Sequence, residues 1–225
     1  MDNRFHSDHV IVSRAKSQLA ESEAALSQPV GELAETLRGR SRPGSPSDVE
    51  RLIGAAISEA LAERNVPVDG VMHGAFDDRA TLVAGPKTLN DIWNLIPYEN
   101  YIVTAQLSSE EIKAVMEEVF TSHEKRNLLG LEVKTQGRGI DCRIVSMTLP
   151  NGQSLERNKK YVIALNSFDS RSGGHHFMKL RALLERPAAQ YVLHPVQTRD
   201  ALIGYFQRHK IVHRIARANP VAFAA

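Results

Sequence analysis

The sequence predicts a domain of mixed α and β structure, in which helices cover a sheet. Three observations support this fold class. Apolar residues recur at helical spacing in two segments that each begin with a capping box. Single short apolar strands alternate with helices in the first half of the chain. Two further strands are predicted next to each other near 129–135 and 140–149.

The helices are located by their capping signals and apolar spacing. A Ser-x-x-Glu box at 47–50 predicts a helix over 47–64, and a second box at 108–111 begins a helix that reaches Phe120. In such a box, the serine and the glutamate each satisfy a backbone donor that the first turn leaves open. Shorter helices are predicted over 88–96, 176–185 and 196–208.

Strands are predicted where short apolar runs stand between turn signals. These segments are 29–37, 69–72, 101–107 and 161–165. The dipeptide Asn151-Gly152 is a strong turn signal, and residues 166–177 are predicted to be a polar, glycine-containing loop.

The N-terminal segment differs from the rest of the chain. Residues 10–27 have helix-forming composition but only weak amphipathic character, which favours a linker helix over a core element. We therefore expect a linker-like helix over 1–28, a main domain over 29–210 and a C-terminal tail over 211–225.

Composition excludes several classes of function. The formal net charge is only +2, which argues against a nucleic-acid binder. The single cysteine, Cys142, cannot form an internal disulfide and is expected to be a small core residue. The chain shows neither a signal peptide nor an apolar run that would span a membrane, and its compartment stays open.

No motif in the chain indicates a metal site or a catalytic residue. The neighbours His175 and His176 would point in opposite directions on an extended chain, so they are poorly placed to share an ion. Asp77 and Asp78 form an acidic pair, but Arg79 follows them, which favours a salt-bridged loop. The sequence also lacks HExxH, CxxC and Gly-x-Ser-x-Gly.

Three loops carry the residues with the most chemistry. Their aromatic, charged and amide side chains are Arg79, Tyr98, Asn100, Phe168, Asp169 and His175. Two rings, an amide and a carboxylate suit a purine base, which requires stacking on its faces and hydrogen bonds at its edge. The alternative is that Tyr98 and Phe168 close the core beside turns.

The order and spacing of these loops resemble the C-terminal domain of the 5′-nucleotidase family, which includes UDP-sugar hydrolases and 2′,3′-cyclic phosphodiesterases. Residues 73–79 stand where that family has Gly-Gly-Gly-Ile-Arg, and 97–100 stand where it has Pro-Phe-Gly-Asn. Residues 166–177 stand where it has Asn-x-Phe followed by Gly-Gly-Asp-Gly. The helix at 48–53 matches the family's opening helix, and the similarity spans roughly 29–208.

The resemblance implies a layered α/β/β/α domain with mixed sheets that binds a nucleotide, a nucleoside or a sugar-nucleotide. Tyr98 and Phe168 would then sandwich the base, and Asn100 would hydrogen-bond it. Arg51 and Arg79 would face the phosphates. The resemblance also implies that the divalent metal pair belongs to a separate N-terminal metallophosphoesterase domain, in cis or in trans, and that this chain holds no cofactor.

The sequence departs from the family pattern at several positions. His175 replaces an acidic residue that resembles a ribose ligand, and Glu99 replaces a glycine close to the expected anionic ligand. Ala75 and Phe76 replace two glycines of the first loop. These changes leave the identity of the substrate open.

Three hypotheses follow. The first is a nucleotide-recognition domain of a phosphoester hydrolase that does not catalyse by itself. The second is a non-catalytic module that binds a ligand or a partner and has kept the fold without the chemistry. The third is a self-sufficient enzyme that uses His175 and Asp169.

Overall fold

The computed structural model describes residues 8–77, 79–122 and 124–215. The helices in these residues are α1 (His9–Leu26), α2 (Asp48–Ala62), α3 (Leu89–Leu95), α4 (Ser109–Thr121), α5 (Ser167–Ser170), α6 (Met178–Leu184) and α7 (Thr198–His209). The strands are β1 (Pro29–Leu33), β2 (Leu37–Arg38), β3 (Gly70–His73), β4 (Thr81–Leu82), β5 (Gly85–Thr88), β6 (Tyr101–Ser108), β7 (Asn127–Leu129), β8 (Glu132–Gln136), β9 (Arg143–Thr148), β10 (Lys160–Asn166), β11 (Val192–Gln197) and β12 (Ile211–Val212).

The central element is a five-stranded sheet of order β11-β6-β10-β3-β7. Strand β10 runs parallel to β3 and antiparallel to β6, so the sheet is mixed. Smaller sheets surround it: β12-β1-β5, the pair β2-β4 and the hairpin β8-β9. The predicted strand pair near 129–149 corresponds to this hairpin together with β7.

Both faces of the central sheet are covered. Side chains alternate along β10, where Ala164 packs into one apolar core while Ile163 and Leu165 pack into another. The first core includes buried residues of α2 and α7, and the second includes buried residues of α4 and α6. This arrangement confirms the predicted class, mixed α and β with helices over a sheet.

Both predicted capping boxes are present. In α2 the Ser47 side chain accepts from the Glu50 amide and Glu50 accepts from the Ser47 amide; Ser108 and Glu111 repeat the arrangement in α4. A third box, between Thr88 and Asp91 in α3, escapes sequence prediction because an aspartate takes the place of the usual glutamate. Cys142 is buried in the core, as predicted.

Three sequence predictions are corrected by the structure. The polar loop over 166–177 contains the short helix α5 and a 3-10 turn at Gly173–His175, because Asn166 caps the first turn. Residues 211–212, predicted to belong to a tail, form β12 and pair with β1. Strand β11 is missed by the sequence pattern, because Pro195 and His194 interrupt its apolar residues.

The helix α1 has no buried residue, as expected for a segment outside the core. Its apolar side chains Val10, Ile11 and Leu19 are exposed. Residues 1–7 of the predicted linker and 216–225 of the predicted tail lie outside the described residues.

Loss of the α4 cap should destabilise the domain measurably. Ser108→Ala removes the acceptor for the Glu111 amide, and we expect the free energy of unfolding to fall by about 1 kcal/mol. Urea denaturation followed by circular dichroism measures this change. The control Ser109→Ala, one residue further along, should change stability by less than about 0.5 kcal/mol; equal losses in both variants would contradict the capping role.

Candidate functional site

Several connecting segments meet at one edge of the five-stranded sheet. Strands β3 and β10 end there at His73 and Asn166, and β6 begins there at Tyr101 because it runs antiparallel to β10. The register pairs Asn166 with Ile102, and His73 with Asn127 at the start of β7. We call this end of the sheet the loop edge; it carries segments 74–80, 97–100 and 167–177.

Most of the site residues predicted from sequence belong to the loop edge. They are Arg79, Tyr98, Asn100, Phe168, Asp169 and His175. The seventh, Arg51, lies half-buried on α2. Their placement is a property of the fold, while their roles toward a ligand stay predictions.

The Tyr98 ring is exposed but supported on one side. It is 60% exposed, and its ring centroid lies 5.4 Å from that of Phe76 at an interplanar angle of 60°. Phe76 in turn makes an edge-to-face contact with His73 at 5.7 Å. In the sequence Phe76 stands out only as a lost glycine, and the structure shows that its ring backs Tyr98.

The Phe168 ring is half-exposed and lies directly on a glycine. A Cβ atom built on Gly173 would stand 2.3–2.5 Å from three atoms of the Phe168 ring. Any side chain at position 173 would therefore displace the ring. Gly173, the first glycine of the pair, therefore leaves the space that the Phe168 ring occupies, and the sequence alone does not reveal this role.

Beneath Phe168, Asp169 forms a buried ion pair with Arg126. The Nε atom of Arg126 lies 2.8 Å from Oδ2 and Nη2 lies 3.2 Å from Oδ1, a bidentate geometry. The two side chains are only 10% and 2% exposed. Burial tends to lower the pKa of Arg126, but the charge and hydrogen bonds of Asp169 outweigh this and raise it above its ordinary value.

The Asp169 carboxylate is thus used inside the fold. Oδ2 also accepts from the Asn166 side chain at 2.7 Å, and the Asp169 amide donates to Asn166 Oδ1 at 2.8 Å. The sequence identifies Asp169 but gives no signal for Arg126, which lies 43 residues away. In this arrangement Asp169 holds α5, and with it Phe168, instead of facing solvent.

Asn100 is anchored by its backbone. Its carbonyl accepts from the Thr198 amide at 3.0 Å, while the next residue, Tyr101, donates its amide to Ser167 Oγ at 3.1 Å. The first bond ties the 97–100 segment to α7, and the second ties the start of β6 to α5. Among the described residues, the Asn100 side-chain amide makes no hydrogen bond, so its donor and acceptor are available.

His73 is buried at the end of β3 and is neutral at pH 7. Burial, and secondarily the charge of Arg126, lowers its pKa to about 4. Its Nδ1 therefore donates to the Gly74 carbonyl at 2.7 Å, which leaves Nε2 as a buried acceptor with no partner in the described parts of the chain. Gly74 itself has no room for a side chain, because a Cβ would lie 2.0 Å from the Lys125 carbonyl.

A second buried acid, Glu50 of α2, lies close to these residues. Glu50 is fully buried, and Asn127 donates its amide to both carboxylate oxygens at 3.3 and 3.4 Å. Burial raises the pKa of Glu50 despite the hydrogen bonds from Ser47, Asn127 and Ser41. Glu50, His73, Arg126, Asn127 and Asp169 together form what we call the polar layer beneath the loop edge.

The segment that carries His175 is strained. Ser172, His175 and Phe177 all adopt left-handed backbone conformations, with φ of 54°, 61° and 55°. Each costs about 1–3 kcal/mol for a residue other than glycine, and such strain is common at functional sites. The segment is held by the Ser172 hydroxyl, which donates to the Phe177 carbonyl, and by the buried Phe177 ring, while His175 stays exposed.

The described residues contain no group of three or more His, Cys, Asp or Glu that could hold a metal ion. In the same parts of the chain, no helix is long and apolar enough to cross a membrane.

Comparison with known proteins gives a family. Residues 29–182 match the family model described as 5′-nucleotidase, C-terminal domain, and this match covers most of the chain. A search of curated proteins gave no match.

Solved structures share the fold at low sequence identity. A 5′-nucleotidase precursor from Thermus thermophilus superposes with a TM-score of 0.75 at 19% identity, over 94% of this chain and 43% of its own. The NAD nucleotidase of Haemophilus influenzae gives 0.69 at 17% identity, over 92% and 40%. A putative 5′-nucleotidase from Staphylococcus aureus gives 0.68 at 17%, over 98% and 44%. The chain therefore spans less than half the length of these proteins.

Breaking the buried ion pair should be costly. Asp169→Asn keeps the shape of the side chain but removes the buried carboxylate from Arg126, which then keeps only the more exposed Glu124 among the described residues, so we expect the free energy of unfolding to fall by about 3–5 kcal/mol. Chemical denaturation measures this loss. The control Glu124→Gln removes the more exposed partner of Arg126 and should cost less than about 1 kcal/mol. A loss below about 1 kcal/mol for Asp169→Asn would contradict the role of the pair.

The buried neutral His73 should make stability depend on pH. The pKa of His73 is about 4 in the folded protein, whereas its ordinary value is 6.5. Between these two pH values the unfolded chain therefore binds a proton that the folded protein does not bind. The contribution of neutral His73 to the free energy of unfolding is fully present above the ordinary pKa. It falls by roughly 3 kcal/mol as the pH decreases to the pKa of the folded protein. Denaturant titrations at several pH values measure the slope. His73→Gln should reduce it, and an unchanged slope would contradict burial of a neutral ring.

Proposed function

The chain belongs to the 5′-nucleotidase C-terminal domain family, and from this premise we propose that it recognises the nucleotide or nucleoside substrate of a nucleotidase-type phosphoester hydrolase. The two-metal chemistry then belongs to a separate metallophosphoesterase domain, in cis or in trans. By itself the chain is not expected to catalyse.

The observation that carries this proposal is the pair of exposed rings, Tyr98 and Phe168, on segments of the same sheet edge. Large aromatic rings that stay exposed do not contribute their full apolar surface to the core, but they provide faces on which a flat ligand can stack. Tyr98 is backed by Phe76, and Phe168 rests on Gly173, so each ring offers one face to a base. Stacking of one base contributes about 1–3 kcal/mol.

The remaining residues divide into those that contact the ligand and one that positions others. Asn100 offers an unused amide to the edge of the base. Arg79 and Arg51 bind phosphate groups, and His175 hydrogen-bonds the ribose in place of an acidic residue. Asp169 acts through α5, because its carboxylate is already bound to Arg126 and Asn166.

We propose that the recognition domain extends over residues 29–212, since β12 pairs with β1 and closes the small sheet. The preceding helix α1, which buries none of its side chains, connects this domain to the catalytic one.

A second function is favoured by one feature of the first loop. Phe76, which stands where the family has glycine, fills the space behind Tyr98. This added ring favours a non-catalytic module that has kept the fold and changed its ligand or binds a partner. Such a module would bind none of the nucleosides that the first proposal requires.

Calorimetric titration of the purified chain tests the two functions. The ligands are adenosine, AMP and a UDP-sugar, each with and without Mn²⁺. Binding that is independent of Mn²⁺ supports recognition without catalysis. Lack of binding to all three, with the chain folded by circular dichroism, supports the second function and overturns the first.

Replacing the exposed ring should affect binding and not folding. Tyr98→Ala should weaken nucleoside binding by about 1–3 kcal/mol, because one stacking face is lost. Its free energy of unfolding should change by less than about 1 kcal/mol, because the ring is 60% exposed. Tyr98→Phe, the matched control, keeps the ring and should retain binding. Unfolding of Tyr98→Ala would show that the ring belongs to the core.

A further inference from the structure

The segment that carries Tyr98 is short and open to solvent. Residues 97–100 connect the end of α3 to the start of β6, and Pro97, Tyr98 and Glu99 are all exposed. A surface segment with so little burial is expected to move unless other contacts hold it. The first turn of α7 supplies such contacts at both ends of the segment.

Two consecutive residues of α7 hold these two ends. The Nε atom of Arg199 donates to the Ile96 carbonyl at 3.1 Å, and the Thr198 amide donates to the Asn100 carbonyl at 3.0 Å. The last carbonyls and the first amides of a helix have no partner within that helix. Ile96 caps the end of α3 and Thr198 begins α7, so each bond satisfies one such open group and fixes the segment between them.

The Arg199 side chain is buried and stacks on Trp93 of α3. Arg199 is only 3% exposed, and its Cζ atom lies 3.5 Å from the centroid of the Trp93 ring, a cation–π contact. A planar guanidinium can stack on a ring and donate hydrogen bonds in its own plane at the same time, which the ammonium group of lysine cannot do. The stack therefore sets the direction in which Nε reaches the Ile96 carbonyl.

The surroundings of Arg199 do not by themselves favour an arginine. Among the described residues, no carboxylate pairs with it, and its Nη2 atom is buried without a hydrogen-bond partner. A buried charge without a counter-ion destabilises a fold, and an apolar residue of similar size would avoid this cost. The contacts that require an arginine are those to Trp93 and to the Ile96 carbonyl, and both act on the start of the 97–100 segment.

We propose that Arg199 is a positioning residue for recognition of the nucleoside base. Its stack on Trp93 and its bond to the Ile96 carbonyl hold Tyr98 and Asn100 in place before a ligand binds, while Arg199 itself stays buried and does not contact the ligand. Measured affinity is proportional to the fraction of molecules in which the site is already formed. The effect on binding rests on the proposed function, whereas the order that Arg199 imposes on the segment does not.

The test uses the full chain with the variants Arg199→Gln and Arg199→Lys. Lysine keeps the charge but loses both the planar stack and the Nε–H donor. The matched control is Arg208→Gln, which removes an arginine near the other end of α7 together with its ion pairs to Glu59 and Glu63. If Arg199 contributed only to stability, its variants and the control would all lower the free energy of unfolding and leave the segment equally ordered.

Two measurements on the protein without ligand report on the segment. The heteronuclear NOE values of the Tyr98 and Glu99 amides measure order on the ps–ns timescale and should fall in both Arg199 variants but not in the control. The emission of Trp93, the only tryptophan of the chain, should shift to longer wavelength as the ring loses the guanidinium that covers it. Unchanged NOE values in the Arg199 variants would overturn the proposal.

A further variant keeps the test decisive if neither Arg199 variant folds. Trp93→Leu removes the stack from a position that is 42% exposed, so the fold should tolerate it. The NOE values of the Tyr98 and Glu99 amides should fall in this variant too. Values equal to those of the wild type would show that the stack does not order the segment.

Calorimetric titration with adenosine separates this proposal from the proposed function. Adenosine should bind the wild type and Arg208→Gln with equal affinity. It should bind the Arg199 variants about tenfold more weakly, as expected if the site is formed in about one tenth of the molecules. Equal affinity in all variants would rule out a positioning role. If adenosine does not bind the wild type, the proposed function fails, and the NOE values alone then decide whether Arg199 orders the segment.

Discussion

The buried ion pair between Arg126 and Asp169 is the interaction on which the loop edge depends. Arg126 directly precedes β7, and Asp169 lies in α5, which follows β10. Because β7 pairs with β3, the ion pair connects the loop after β10 to the end of β3. Both charges have left water, which is costly unless every oxygen and donor finds a partner. The geometry meets this condition for the carboxylate, because both of its oxygens bind the guanidinium and Asn166 adds a further bond. The position of Phe168 follows from this network.

The polar layer supports the loops above it through buried hydrogen bonds. Burial holds His73 neutral and raises the pKa of Glu50, so the ion pair between Arg126 and Asp169 lies in surroundings that disfavour unpaired charge. Gly74 and Gly173 then allow backbone and ring to approach more closely than any side chain would permit. The strain stored between Ser172 and Phe177 is maintained because the surrounding contacts leave no alternative.

Exposed groups at this end of the molecule differ from those beneath them. Tyr98 and Phe168 present aromatic faces, while the buried Arg199 bonds to the carbonyl at the start of the segment that carries Tyr98. Exposed rings of this kind cost stability or solubility in a domain that binds nothing. The two exposed rings are the feature on which the proposed recognition of a nucleoside base rests.

Local sequence patterns are sufficient to predict the fold class, both Ser-x-x-Glu helix starts, most strands and the types of residue at the loop edge. These signals are local, since a capping box or an alternating strand is complete within a few residues. The remaining contacts depend on the packing of segments that are distant in the sequence. Arg126 and Asp169 are 43 residues apart, and the ring of Phe76 contacts Tyr98 of a different loop. Strand β12 pairs with β1, although the two strands lie near opposite ends of the described chain. No local pattern encodes such pairings, because they exist only when distant segments pack, and that packing made Asp169 a buried support and placed Arg199 against the end of α3.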